Sequence, residues 1–128
     1  MNSSSPQILI IDYEEDVLID LERLLEDEGF RTSTCWSEFD AIKALSKGSF
    51  DLVLVNEYMP NVNIEHFICR LHDLVGDVPC VVMRRKSTMS DSTRLPTGTV
   101  DAVCKSSGRE VVEAAHHWYQ TRKNKVSA

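Results

Sequence analysis

Hydrophobic residues along the chain fall into two alternating patterns: short unbroken runs, and longer stretches with an apolar residue every three or four positions. QILII, from Gln7 to Ile11, is continuous and β-branched, as expected of a strand covered on both faces. An acidic cluster, Asp12, Glu14, Glu15 and Asp16, separates it from a helical stripe of Val17, Leu18, Leu21, Leu24 and Leu25 that Gly29 can stop. Phe30 to Cys35 alternates like a shorter strand. Ser37 with Asp40 then reads as a capping box for a helix carrying Ala41, Ile42, Ala44 and Leu45, stopped by Gly48.

Asp51 to Val55 is a second strand, apolar after its first residue, and a third helix after Pro60 aligns Ile64, Phe67, Ile68, Leu71 and Leu74. Val78 to Met83 predicts a fourth strand and Val100 to Cys104 a fifth. Between those two, RRKSTMSDSTRLPTGT has little helical periodicity and holds Pro96 and Gly98, so any helix there is short or irregular. Its Ser and Thr side chains compete for backbone hydrogen bonds, which predicts that residues 86–98 are the most mobile part of the chain. Ser107 with Glu110 forms a second capping box ahead of Val111, Val112, Ala115, Trp118 and Tyr119.

This β-then-α alternation predicts a five-stranded parallel sheet with helices on both faces, doubly wound in the order 2-1-3-4-5. The expected domain spans residues 7–122, with a flexible N-terminus over 1–6 and a C-terminal tail over 123–128. In such folds a site lies beyond the carboxyl ends of the strands, at the switch point. The residues expected there are Asp12 and Tyr13, Asn56 and Glu57, Arg84 and Arg85, and Lys105.

Composition narrows the function. The 128 residues suffice for one core; 42% are apolar and 27% charged, an ordinary globular balance. A formal net charge of −6 argues against a broad nucleic-acid footprint, which requires a basic surface. Cys35, Cys69, Cys80 and Cys104 show no CxxC spacing, which fits a reduced, cytoplasmic setting. No stretch reaches membrane-spanning length. His66, His72, His116 and His117 lack metal-ligand spacing, and no GxGxxG, GxxxxGK[ST] or GxSxG follows a strand. The chain therefore reads as a non-enzymatic module.

ILIIDYEEDV, FDLVLVNEYMP, VPCVVM and Lys105 at the end of the fifth strand resemble the receiver domain of two-component response regulators, the family of the chemotaxis response regulator. The resemblance covers about residues 7–122. It implies that the residue at position 56 is an aspartate taking a phosphoryl group from a histidine kinase. It also implies that an acidic pair at 12 and 13 helps that aspartate hold Mg²⁺, and that the lysine neutralises the product. This sequence keeps Asp12 and Lys105. Tyr13 replaces the second acid, Asn56 the acceptor, Arg84 the small hydroxyl residue, Ala102 the aromatic switch residue, and Ser106 the proline after the lysine.

An amide oxygen is neutral and a poor nucleophile, so Asn56 should accept no phosphate. Mg²⁺ prefers anionic oxygens, and the pocket charge falls from about −2 in the family to about 0 or +1 here, so metal binding is expected to be lost. Arg84 is expected to turn inward and fork onto Asp12, beside Lys105. The plain alternative for Asn56 is a polar residue satisfying backbone groups at a strand end. The functional expectation is a phosphorylation-independent receiver-like module that binds protein: a histidine kinase, an output domain, or a second copy through the face from the fourth strand to the last helix. The competing expectation is a working phosphoacceptor that uses Glu14, Glu57 or Asp12.

Overall fold

The structure is a computed structural model that describes residues 5–85 and 94–127. Most of the segment expected to be mobile or irregularly helical, residues 86–93, lies outside the described residues. The strands are β1 (Gln7–Ile11), β2 (Arg31–Cys35), β3 (Leu52–Asn56), β4 (Cys80–Arg84) and β5 (Asp101–Cys104). The described helices are α1 (Glu15–Asp27), α2 (Glu38–Lys47), α3 (Ile64–Val75) and α4 (Gly108–Ser127). All strand pairings are parallel, in the order β2-β1-β3-β4-β5. The last helix runs on through Ser127, past position 122 where the sequence pattern placed the domain's end.

Strand alternation sorts the core into two layers. Ile8, Ile10, Leu52, Leu54, Val81, Met83 and Val103 face α1 and α4, where they meet Leu18, Leu21, Leu25, Val111 and Ala115. Leu9, Ile11, Val53, Val55, Cys80 and Val82 face α2 and α3, where they meet Ala41, Leu45, Phe67, Ile68 and Leu71. Every residue of β3 and β4 is buried, which is why both strands are apolar up to their last residues, Asn56 and Arg84.

Helix starts follow local chemistry. Ser37 Oγ accepts from the Asp40 N–H at 3.1 Å, Asn63 Oδ1 from the His66 N–H at 3.0 Å, and Ser107 Oγ from the Glu110 N–H at 3.3 Å. The α1 helix has no side-chain cap but carries Glu15 and Asp16 in its first turn, where acids complement the helix dipole. Gly29 ends it with φ +97°, a conformation that L side chains rarely adopt. Gly108 opens α4 at a close approach, since a Cβ there would lie 2.7 Å from Leu24 Cδ2. At the far end of α4, Arg122 reaches Asp51 at 2.9 Å, and Asp51 also accepts the Gln7 N–H at 2.8 Å, so the helix is tied to the start of β1. Trp118 and Tyr119 are engaged within the chain, the first donating to Asp101 Oδ2 at 2.9 Å and the second packing edge-on against Phe30.

The cysteines divide by layer. Cys35 and Cys80 lie under α2 and α3; burial, joined by the Asp40 charge, raises Cys35 to about 11, and burial raises Cys80 to about 12. Cys69 is exposed and Cys104 buried. Thiolates are the reactive form. Native titration with a disulfide reagent at pH 8 should therefore show one fast thiol, Cys69, and the remaining three only on unfolding; a second fast thiol would show that the core opens locally.

Candidate functional site

The alternation that layers the core continues past the strand ends and divides the expected site residues. Asp12 and Asn56 follow the α1/α4 parity of Ile8, Ile10, Leu52 and Leu54, and Lys105 follows Val103. Tyr13, Glu57 and Arg84 follow the opposite parity, and Tyr13 packs against the α2/α3 layer. The structure accordingly contains two polar clusters at one edge of the sheet.

Asp12 is the centre of the first cluster and is fully buried. Its Oδ1 accepts from Asn56 Nδ2 at 3.0 Å and from the Glu14 N–H at 3.0 Å, and its Oδ2 accepts from Lys105 Nζ at 3.2 Å. A buried carboxylate needs such compensation, because an unpaired one is costly. Lys105 also donates to Glu14 Oε1 and is 8% exposed, so its charge is shared between two acids. The Lys105 hydrogen bond holds the Glu14 carboxyl below the usual carboxylate range; partial desolvation opposes this, and the Lys105 and Arg85 charges add to the lowering. A carboxyl with a depressed folded pKa adds stability above its unfolded value and gives it up as pH falls through the folded one. The Lys105–Glu14 link therefore weakens on the acid side of the carboxylate range.

Asn56 answers to two partners at once. Its Nδ2 donates to Asp12, and its Oδ1 accepts from the Tyr58 N–H at 3.1 Å. The Tyr58 N–H can only donate and the Asp12 carboxylate can only accept, so the orientation of the amide is fixed. Both sequence readings of Asn56 are thus present in one side chain: it satisfies strand-end backbone, and it is an integral member of the pocket. An aspartate in its place would set a second carboxylate against Asp12.

Arg84 corrects an expectation. It does not turn onto Asp12; its Nε and Nη2 fork onto Glu57 at 2.7 and 3.0 Å, and Nη2 also donates to the Arg94 carbonyl at 3.2 Å. The reason is parity: Arg84 and Glu57 leave adjacent strands on the same side of the sheet, away from Asp12. Nor does Arg84 point into solvent, being 5% exposed. Arg85 instead reaches the site's rim, donating to Tyr13 Oη at 3.0 Å and lying over the Tyr58 ring, which meets Tyr13 edge-on at a centroid distance of 6.0 Å. Lys105 lies 5.7 Å from the centre of the Tyr13 ring. Ala102 is half-buried against the α2/α3 layer and supplies no ring.

The residues at this edge do not fit a magnesium centre. Mg²⁺ requires near-octahedral coordination by hard oxygens and usually one or two free carboxylates. Here both oxygens of Asp12 already accept hydrogen bonds, one of them from an ammonium; the Asn56 oxygen is taken by a backbone N–H, and Tyr13 offers a phenol engaged by a guanidinium. His72, by contrast, belongs to no such cluster and contacts the carbonyls of Gly76 and Gly98.

Fold and site together define a doubly wound domain whose polar chemistry sits on the carboxyl ends of β1, β3 and β5. A family model described as the response regulator receiver domain matches residues 8–116, and the chain belongs to that family, which serves two-component signalling. It is 31% identical over 88 residues to the transcriptional regulatory protein PrrA of Mycobacterium leprae, a match covering 69% of this chain and 38% of that protein. It is 28% identical over 107 residues to the response regulator SaeR of Staphylococcus epidermidis, covering 82% of this chain and 46% of that one. The chain thus spans less than half the length of these curated relatives. In fold it is similar to a CheY-like receiver domain protein from Methanospirillum hungatei, with a TM-score of 0.84 at 18% identity over 95% of this chain and 99% of the other. A receiver domain protein from Clostridium thermocellum gives a TM-score of 0.80 at 17% identity over 92% and 97%.

Proposed function

We propose that this receiver domain works without phosphorylation or Mg²⁺, as a non-enzymatic, cytoplasmic module that signals by binding another protein. The observation that carries the reading is the saturation of Asp12 by Asn56, the Glu14 N–H and Lys105, with an amide at the position where the family resemblance implies a nucleophilic carboxylate. An acyl phosphate at position 56 would need a carboxylate oxygen that this side chain lacks. The partner is a histidine kinase or an output domain of a two-component pathway, or a second copy docking through the face from β4 to α4. The acidic balance of −6 favours protein over nucleic acid as the ligand of this domain. Among the described residues no helix is long and apolar enough to cross a membrane.

The test is incubation with acetyl phosphate, and separately with beryllofluoride, in millimolar Mg²⁺, followed by intact-mass spectrometry. An unmodified mass is expected. A stoichiometric phosphoryl adduct would overturn the reading and support the second one, in which Glu14, Glu57 or Asp12 accepts the group, and peptide mapping would identify the acceptor. The observation favouring that second reading is that Glu14 already lies against Lys105, the lysine positioned to neutralise a phosphoryl product. Sedimentation at micromolar concentration distinguishes the homodimer from a hetero-partner.

A further inference from the structure

Arg84 is the second buried cation of the strand-end edge, and it stands apart from the Asp12 cluster. We propose that its fork onto Glu57 is a constitutive latch: it locks the end of β3, the end of β4 and the start of the chain's return to β5 in one conformation. The β4–β5 side of the domain is thereby held in a fixed form for a partner, with no covalent signal needed. This rests on the reading that no phosphoryl group arrives at the site.

The geometry joins three elements through one side chain. Glu57 immediately follows β3, Arg84 ends β4, and the Arg94 carbonyl lies on the return to β5; the Arg84 guanidinium donates to both Glu57 oxygens at 2.7 and 3.0 Å and to the Arg94 carbonyl at 3.2 Å. Backbone bonds converge on the same junction, the Glu57 N–H donating to the Met83 carbonyl at 3.0 Å and the Lys105 N–H to the Arg84 carbonyl at 2.9 Å. A guanidinium presents its donors in a rigid planar fork that matches the two oxygens of a carboxylate. Its depth matters too. At 5% exposure the cation cannot exchange Glu57 for water without a large desolvation penalty, and a bidentate pair fixes direction as well as distance. A small hydroxyl side chain at position 84 would be too short to span this gap and carries no charge that must be paired.

The latch predicts a particular asymmetry between its two partners. Removing the cation, Arg84→Met, frees the junction but leaves Glu57 able to turn toward solvent, since it is 30% exposed. Removing the acid, Glu57→Ala, takes both carboxylate acceptors away from a buried guanidinium and should do more damage. Because both act on one interaction, their effects should not add.

Hydrogen–deuterium exchange on the wild type, Arg84→Met, Glu57→Ala and the double variant tests this. In Arg84→Met, peptides covering residues 57–62 and 94–100 should exchange at least tenfold faster while β1 and α1 keep their protection. Glu57→Ala should exceed Arg84→Met at the same peptides, and the double variant should be no faster than Glu57→Ala alone. If Glu57→Ala fails to fold, Glu57→Gln, which keeps one acceptor, should fall between wild type and Arg84→Met. Exchange within twofold of wild type in Arg84→Met, acceleration spread evenly over the whole sheet, or additive effects in the double variant would each overturn the latch. A phosphoryl adduct on the wild type would instead overturn the phosphorylation-independent reading, and the exchange pattern is read separately from it.

Discussion

Replacing Lys105 by alanine should lower the stability of the domain by about 3 kcal/mol, a drop of roughly 10 °C in melting temperature for a chain of this size. The argument is the environment of Asp12. Its carboxylate is fully buried, and Lys105 is its only ion-pair partner among the described residues. Taking away one member of a buried pair costs about 3 to 5 kcal/mol because the other charge remains and is stranded. The lower end applies here, since the Asn56 amide and the Glu14 N–H still donate to Asp12 after the lysine is gone. Millimolar Mg²⁺ should shift the wild-type midpoint by less than about 1 °C, because both Asp12 oxygens are already engaged. Thermal melting of both proteins with and without Mg²⁺ checks the pair of expectations. A Lys105→Ala midpoint equal to wild type, or a marked rise with Mg²⁺, would show that the pocket is not closed by the lysine.

Asn56→Asp should be destabilising, by about 2 kcal/mol near pH 7.5. The substitution removes the hydrogen bond that Asn56 Nδ2 donates to Asp12 and sets two carboxylates about 3 Å apart, while the acceptor for the Tyr58 N–H survives. Like charges at that distance cannot both ionise cheaply, so one carboxyl of the pair takes a folded-state pKa above its unfolded value. Such a group contributes stability where it is protonated, below the unfolded value, and loses it as pH rises through the folded one. The deficit relative to wild type should therefore be smallest near pH 4 and grow toward pH 8. Denaturant unfolding of both proteins across that range measures it; a pH-independent difference, or a variant more stable than wild type at pH 8, would show that the two side chains do not share the pocket as described. Acetyl phosphate should leave this single variant unmodified as well, because Tyr13 still places a phenol where the family resemblance implies a second acid.

The strand pattern of this protein was readable because buried parallel strands must be apolar on both faces, and Gln7–Ile11 and the run ending at Asn56 have little other use. The capping pairs at Ser37 and Ser107 were readable for a similar reason: a short hydroxyl side chain three residues before an acid is a local signal that needs no tertiary contact. The site was read less completely. Asp12, Asn56 and Lys105 come together, but Arg84 was assigned by the capacity of its guanidinium to fork onto a carboxylate when parity should have assigned it. Counting by twos from Val82 to Arg84 and from Val55 to Glu57 places both on the α2/α3 side, and that count was available in the sequence. The second acid on Lys105, Glu14, was visible only as one member of an acidic run, because its reach depends on how the chain turns after β1. The pairing of Arg85 with Tyr13 joins residues 72 positions apart and left no sequence signal at all.

The two-ended use of Asn56 also bears on the history open to such a chain. Its amide donates to a buried acid and accepts from backbone, a pairing that no carboxylate can reproduce with its neighbours unchanged. A single change of Asn56 to an acidic residue is therefore expected to pass through a less stable protein as long as Asp12 and the Tyr58 N–H stay where they are. The amide is held in place from both ends, so position 56 is free to change only together with its neighbours.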